Sequence, residues 1–246
     1  MSITTSSSAV SDPLLDTPLI FHDLPYADVS FDSPTVSLFS RPSFLCISFF
    51  SLNVNKANYI GHAILNSFVG SADIVLFQEP WKGRIGMSRS DSSPGGTTIY
   101  GMVHQRSWTS YIPVPGNVGK DSPARVAAYV SRARTDLVVR QRTDLLSHPD
   151  VLILELSTPH HPPFLVVNIY NDANCSAITA LMSTTLPDLP TIITGDFNLH
   201  HEAWAMEEST PSPRAEPVVE WLENAGFSLL NQPGKVTFDR AGQRSV

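Results

Sequence analysis

Four polar clusters stand where short apolar runs stop: Asn53-Val54-Asn55, Gln78-Glu79-Pro80, Asn168-Ile169-Tyr170-Asn171-Asp172 and Gly195-Asp196-Phe197-Asn198. A buried strand needs no acid at its end for its own stability. If the strands lie side by side, their ends converge on one rim of a sheet, where layered α/β folds bind ligands. The set suits phosphodiester cleavage. Mg²⁺ takes oxygen ligands, keeps several waters, and is held by one or two carboxylates plus amide oxygens. Such an ion polarises a phosphoryl oxygen and offsets charge on the leaving oxygen. Asp196 and Asn198 are two apart, so both can point to one side of an extended exit. One can orient or deprotonate the attacking water while the other contacts the phosphate. Tyr170 can donate to the developing oxyanion.

Each residue also has a purely structural reading. Asn53 and Asn55 can cap a helix beginning near Lys56. Asp196 and Asn198 can be turn residues after Gly195. Glu79 can be a surface acid, and Tyr170 a core tyrosine with a wet hydroxyl. His200 and His201 are adjacent, so they cannot face one site from a strand or helix, and they read as loop. The joint placement carries the functional reading.

The elements that must hold these clusters can be read from periodicity. Phe44–Phe50 is a near-continuous apolar run, the pattern of a strand buried on both faces. Ala57, Ile60, Ile64 and Phe68 recur at helical spacing, which predicts a helix over Lys56–Phe68 closed by Gly70. Asp73–Phe77 reads as a second buried strand. Lys82–Gly96 is rich in Gly and Ser and reads as loop. Further strands are expected near Thr97–Val103, Trp108–Ile112, Val126–Ser131, Val151–Leu156, Phe164–Ile169, Thr191–Thr194, Phe227–Leu230 and from Val236. Cys175–Met182 and Val218–Ala225 carry helical spacing. Residues 1–43, rich in Ser, Thr, Pro and Asp, read as a disordered leader without a core of its own. Residues 44–246 read as one domain of mixed strands and helices.

Composition bounds the function. The 246 residues are 42% hydrophobic and 16% charged, enough for one sizeable core. A net charge of −7 argues against a chain that lives by non-specific phosphate contacts, and suits carboxylates gathered around a cation. Two cysteines, Cys46 and Cys175, lie in apolar stretches without zinc spacing and read as buried thiols in a reducing compartment. No basic region followed by an apolar run stands at the N-terminus, and no stretch is long enough to span a bilayer. An intracellular location is expected, with the nucleus compatible.

Asn53-Val54-Asn55-Lys56, Leu76-Phe77-Gln78-Glu79-Pro80-Trp81 and Thr194-Gly195-Asp196-Phe197-Asn198 resemble the signature of the endonuclease/exonuclease/phosphatase superfamily. Gly195–Trp204, with its His-His-x-x-Trp ending, resembles the endonuclease domain of non-LTR retrotransposons. Pro123–Val130 and Ser147–Val151 read like the same branch. The resemblance covers about Leu45 to Val246. It implies an α/β four-layer sandwich, two mixed β-sheets packed face to face with helices outside. It implies Mg²⁺ or Mn²⁺ at Glu79, aided by Asn53. Asp196 would position the nucleophilic water, Asn198 would contact the scissile phosphate, and Tyr170 would stabilise the developing charge. Asn55, Arg125 and Trp204 are the expected nucleic-acid contacts. The expected substrate is DNA, nicked so that a freed 3′ hydroxyl can prime a reverse transcriptase carried by full-length relatives. The family's later Ser-x-Ile-Asp-Leu and Ser-Asp-His motifs have no match before Val246. The expectation is therefore a domain lacking its final strands, with low turnover or none; a catalytically inactive nuclease-like remnant is the competing reading. Tyr170 is followed by Asn171-Asp172 where some relatives carry Pro-Asn.

Overall fold

A computed structural model describes residues 19–22, 46–90, 93–113, 123–204, 211–231, 233, 238–240 and 243–245. Over the described residues the chain is α/β, with mixed sheets and three helices. One sheet has four strands, in the order β2 (Phe49–Asn53), β3 (Ile74–Gln78), β7 (Val126–Ser131) and β6 (Trp108–Tyr111). The other has six: β12 (Phe227–Leu229), β1 (Leu19–His22), β11 (Thr191–Asp196), β10 (His161–Tyr170), β9 (Val151–Thr158) and β8 (Val138–Gln141). Two hairpins stand apart, β4 (Lys82–Ser90) with β5 (Ser93–Met102), and β13 (Phe238–Arg240) with β14 (Gln243–Ser245). The helices are α1 (Asn58–Ser67), α2 (Ser176–Met182) and α3 (Glu216–Asn224).

The continuous apolar runs have a simple cause. In β3, Ile74 and Leu76 enter one apolar cluster while Val75 and Phe77 enter another. In β10, Phe164 and Val166 enter the first of these clusters while Leu165, Val167 and Ile169 enter a third. The period of 2 persists, but both faces are buried, so both sets are apolar. The first cluster joins Ile74, Leu76, Val126 and Ala128 of one sheet to Leu152, Leu154, Val166 and Ile192 of the other. The second packs the remaining face of the four-stranded sheet with Leu65 of α1 and Trp108. The third packs the remaining face of the six-stranded sheet with α2 and α3. Each fully buried Leu or Ile contributes roughly 2 kcal/mol through burial alone.

Among the described residues parallel pairing occurs twice, β2 with β3 and β10 with β11. These are the four strands whose exits carry the polar clusters. In β10 and β11 the register sets Asn168 beside Thr194 and Tyr170 beside Asp196.

Several expected elements differ from those observed. The first core strand runs over Phe49–Asn53, later than the apolar run suggests, because residues 46–48 lead into it without regular pairing. Phe44 and Leu45 lie outside the described residues. Lys82–Gly96, read as loop, lies largely in the β4–β5 hairpin. Its glycines make room for side chains: a Cβ on Gly83 would stand 2.2 Å from the Trp81 ring, and one on Gly101 would stand 2.6 Å from Ile85. Leu19–His22, inside the expected leader, pairs with β11 and β12. Four residues are too few to display a period, and partners on both sides supply the backbone hydrogen bonds that hold such a run. Cys175 is buried as expected, whereas Cys46 is only half-buried, because it lies ahead of β2. Among the described residues no helix is long and apolar enough to cross a membrane.

Candidate active site

The inward faces of four strands change from apolar to polar at one end. Gln78 continues the inward set of β3 and Asn168 that of β10. They meet there, Gln78 Nε2 donating to Asn168 Oδ1 at 2.6 Å and to Ser51 Oγ at 3.1 Å. Asn168 Nδ2 in turn donates to the carbonyls of Phe77 and Ala127 at 3.1 and 3.0 Å. Gln78, Asn168 and Thr194 are fully buried. This layer pins one sheet to the other directly beneath the strand exits.

Just past this layer the expected residues come together. Asn53 Nδ2 donates to Asp196 Oδ2 at 2.7 Å and lies 3.4 Å from Glu79 Oε2. Two carboxylates from different sheets therefore share one amide. Asn53 Oδ1 accepts from the backbone N–H of Asn55 at 2.8 Å. The helix-cap reading of Asn55 fails, because α1 has Ala57 at its N-cap and no side-chain cap. Lys56 Nζ sits 3.2 Å from Glu79 Oε1. The Tyr170 hydroxyl donates to Glu79, and burial together with the charges of Glu79 and Asp196 pushes its pKa up to about 12. Burial also raises the Asp196 carboxyl above its ordinary value, against the hydrogen bonds from Asn53 and Asn198.

Asn198 folds back over this arrangement. Its backbone N–H donates to Asp196 Oδ1 at 3.2 Å, and its Nδ2 donates to the Asn171 carbonyl at 2.6 Å. Asn171 is fully buried and donates to the Phe197 carbonyl at 2.9 Å, so it fixes the turn that carries Asn198. Trp204 is placed differently. Its indole N–H donates to the Leu199 carbonyl at 3.0 Å, and its ring packs near His201 and the cluster beneath α3. It is built into the scaffold behind this loop.

Backbone strain concentrates at the same rim. Among the described residues, five non-glycine positions have positive φ: Asn55, Lys56, Glu79, Asn198 and Cys175. Four of the five belong to the polar clusters or adjoin them. Such conformations cost on the order of 1–3 kcal/mol each and persist where surrounding contacts over-determine them. Here those contacts include Lys56 N–H to the Glu79 carbonyl at 2.8 Å and Glu79 N–H to the Arg125 carbonyl at 2.7 Å.

Positive charge gathers beside the acids although the chain as a whole is acidic. Burial is the main cause lowering the Lys82 pKa, with Lys56 and Arg125 close enough to add to it. Sequence reasoning missed what Arg125 does locally. Its Nε and Nη2 donate to the two oxygens of Asp150 at 2.6 and 2.5 Å, and Nη2 also reaches Asp172 at 2.8 Å. Asp150 immediately precedes an apolar strand, a hint that the sequence carries, but its almost complete burial and its pairing with Arg125 are visible only in the structure.

Residues 164–246 match the family model described as endonuclease-reverse transcriptase. Over this stretch, about a third of the chain, the match supports a likeness to the endonuclease/exonuclease/phosphatase superfamily. The match supports the retrotransposon endonuclease branch of that superfamily, and it contains Tyr170, Asp196, Asn198 and Trp204. Asn53, Asn55, Glu79 and Arg125 lie outside it. No curated protein and no solved structure matched the chain.

The superfamily reading raises the question of a cation. Among the described residues no group of three or more His, Cys, Asp or Glu side chains could hold one. Mg²⁺ does not need such a group, since one or two carboxylates, an amide oxygen and water suffice. The carboxylate oxygens of Glu79 and Asp196 are hard donors, and both face the Asn53 Nδ2. The Asn53 oxygen faces the Asn55 N–H and would join the set only with the amide turned over. The residues present fit a hard divalent ion.

Proposed function

We propose that this chain is a metal-dependent phosphodiester hydrolase that nicks DNA, built as a four-layer sandwich with its site at the exits of β2, β3, β10 and β11. The convergence of Glu79 and Asp196 on the Asn53 amide carries the reading. Two like charges drawn from separate strands repel, and a divalent ion beside them, in addition to Lys56 at Glu79, would offset that repulsion.

Glu79, with Asn53, would hold Mg²⁺ or Mn²⁺. When bound, the ion supplies Lewis-acid polarisation of a phosphoryl oxygen. The remaining roles belong to side chains. Asp196 is shielded from solvent, and its carboxyl is shifted toward protonation, which suits it to orient a water and take its proton. Tyr170 keeps its proton at neutral pH and can donate to charge building on the phosphate. One Asn198 amide hydrogen is committed to Asn171, which leaves the second for a phosphate oxygen. Lys56 and Lys82 add local positive charge for an anionic strand. Asn55, exposed at the rim, would meet that strand.

The test is nicking of supercoiled plasmid with Mg²⁺ or Mn²⁺. Nicking that requires the ion and is lost in Glu79→Ala supports the proposal. Nicking retained in Glu79→Ala would overturn it, as would none from either protein, and the second result would favour the inactive remnant.

A further inference from the structure

Arg125 stands immediately before β7, Asp150 immediately before β9, and Tyr170 at the end of β10. The Arg125 guanidinium lies over the Tyr170 ring, with Cζ 4.9 Å from its centroid. Three of its five N–H groups are committed to carboxylates, two to Asp150 and one to Asp172. Asp150 is almost wholly buried, so this fork is anchored in the scaffold. The backbone closes the same unit: Tyr170 N–H donates to the Asp150 carbonyl at 2.9 Å, Arg125 N–H to the Pro149 carbonyl at 3.0 Å, and Glu79 N–H to the Arg125 carbonyl at 2.7 Å.

We propose that Arg125, clamped by Asp150 and Asp172, is a positioning residue that presses on the Tyr170 ring and aims its hydroxyl at the scissile phosphate. The proposal rests on the reading of the site as a phosphodiesterase and replaces the expected groove contact of Arg125. A guanidinium already forked onto two acids is poorly disposed to bind a phosphate. It is well disposed to stack on an aromatic face in a fixed plane. Lysine cannot reproduce the fork, so the conservative change is informative.

The experiment labels the full chain with 3-fluorotyrosine and assigns Tyr170 by the resonance lost in Tyr170→Phe. The six tyrosines give each spectrum its internal controls. Arg125→Lys is expected to shift and broaden the Tyr170 resonance while leaving buried Tyr129 unmoved. Asp172→Asn does not alter the cation itself, and it is expected to produce a smaller shift of the same sign. An unmoved Tyr170 resonance in both variants would overturn the proposal, whether or not the protein nicks DNA.

Kinetics give the second arm. Arg125→Lys is expected to slow single-turnover nicking about 10- to 100-fold with DNA affinity within about 2-fold, and to cost less than about 2-fold once Tyr170 is already Phe. In the charge-removing variant Arg125→Gln, a weakened affinity with the salt slope lowered by about 1 would mark a phosphate contact and overturn the proposal. Absence of nicking by the unmodified chain would sink the phosphodiesterase reading, and the fluorine spectra would still decide the positioning of Tyr170.

Discussion

Asn53 donates its side-chain amide to Asp196 across 2.7 Å although 143 residues separate them. The contact joins the exits of β2 and β11, which belong to different sheets. It is therefore a measure of whether the two sheets meet in the register that the site requires.

Asn53→Ala removes this contact and the approach to Glu79 together. Nicking should fall about 10- to 1,000-fold, as when a preorganised polar group is taken from a concerted site. Asn53 is a half-buried strand-end residue, so stability should change by only about 1 kcal/mol. Parallel rate and urea-denaturation measurements separate the two effects. A large stability loss with an unchanged rate would show that Asn53 is structural.

Asp196 gives a pH dependence with a definite sign. Its carboxyl is raised from the ordinary 3.8, mainly by burial, so the folded chain holds this proton more tightly than the unfolded chain. Stability of the cation-free protein should fall as pH rises from 3.8 through the folded value, and then level off. Asp172 and Asp136 act in the opposite direction. Arg125 and Arg134 hold their carboxyls below 3.8, so their contributions are present above 3.8 and are lost as pH falls through the lowered values. The windows do not overlap. Urea denaturation across the acid range should show the upper slope in the unmodified chain and lose it in Asp196→Asn. Identical profiles would contradict the assignment.

Gly195 is the least replaceable backbone position at the rim. Its φ is +141°, and a Cβ there would stand 1.9 Å from the Ile169 carbonyl oxygen. The obstacle is backbone of the paired strand, which cannot give way without losing the register of Tyr170 beside Asp196. Gly195→Ala should destabilise the fold by more than about 3 kcal/mol. Chemical denaturation checks this, and a loss below about 1 kcal/mol would mean that the strands can slide.

The buried amide layer makes a graded prediction. Gln78→Leu leaves Asn168 Oδ1 without the donor at 2.6 Å, and should cost about 1–3 kcal/mol. Asn168→Leu orphans the Phe77 and Ala127 carbonyls as well, and should cost more. The double variant should cost less than the sum, because each single change strands a partner that the other removes. Strict additivity in denaturation would argue against a connected layer.

The fold was most legible where strands are buried on both faces. Val126–Ser131 was readable to the residue, because both faces of the strand meet apolar clusters. The β4–β5 hairpin was not, because Gly-rich sequence ordinarily marks turns, whereas Gly83 and Gly101 here lie in strands against the Trp81 and Ile85 side chains. β8 alternates exposed and half-buried positions over only four residues, too short a run to stand out. At the site, Glu79 and Asp196 could be found because strand ends are legible. The Arg125 clamp could not, since it joins residues 25 and 47 positions apart whose meeting depends on how the two sheets pack.

The central claim is that Glu79 and Asp196 form one cation-dependent site for cutting a phosphodiester. The most direct measurement is single-turnover plasmid nicking by the full chain across a Mg²⁺ titration, beside Glu79→Gln and Asp196→Asn. Nicking should be slow, saturate with Mg²⁺ and fall at least about 100-fold in each variant. Equal nicking by all three proteins, or none by the unmodified chain at any Mg²⁺ concentration, would contradict the claim.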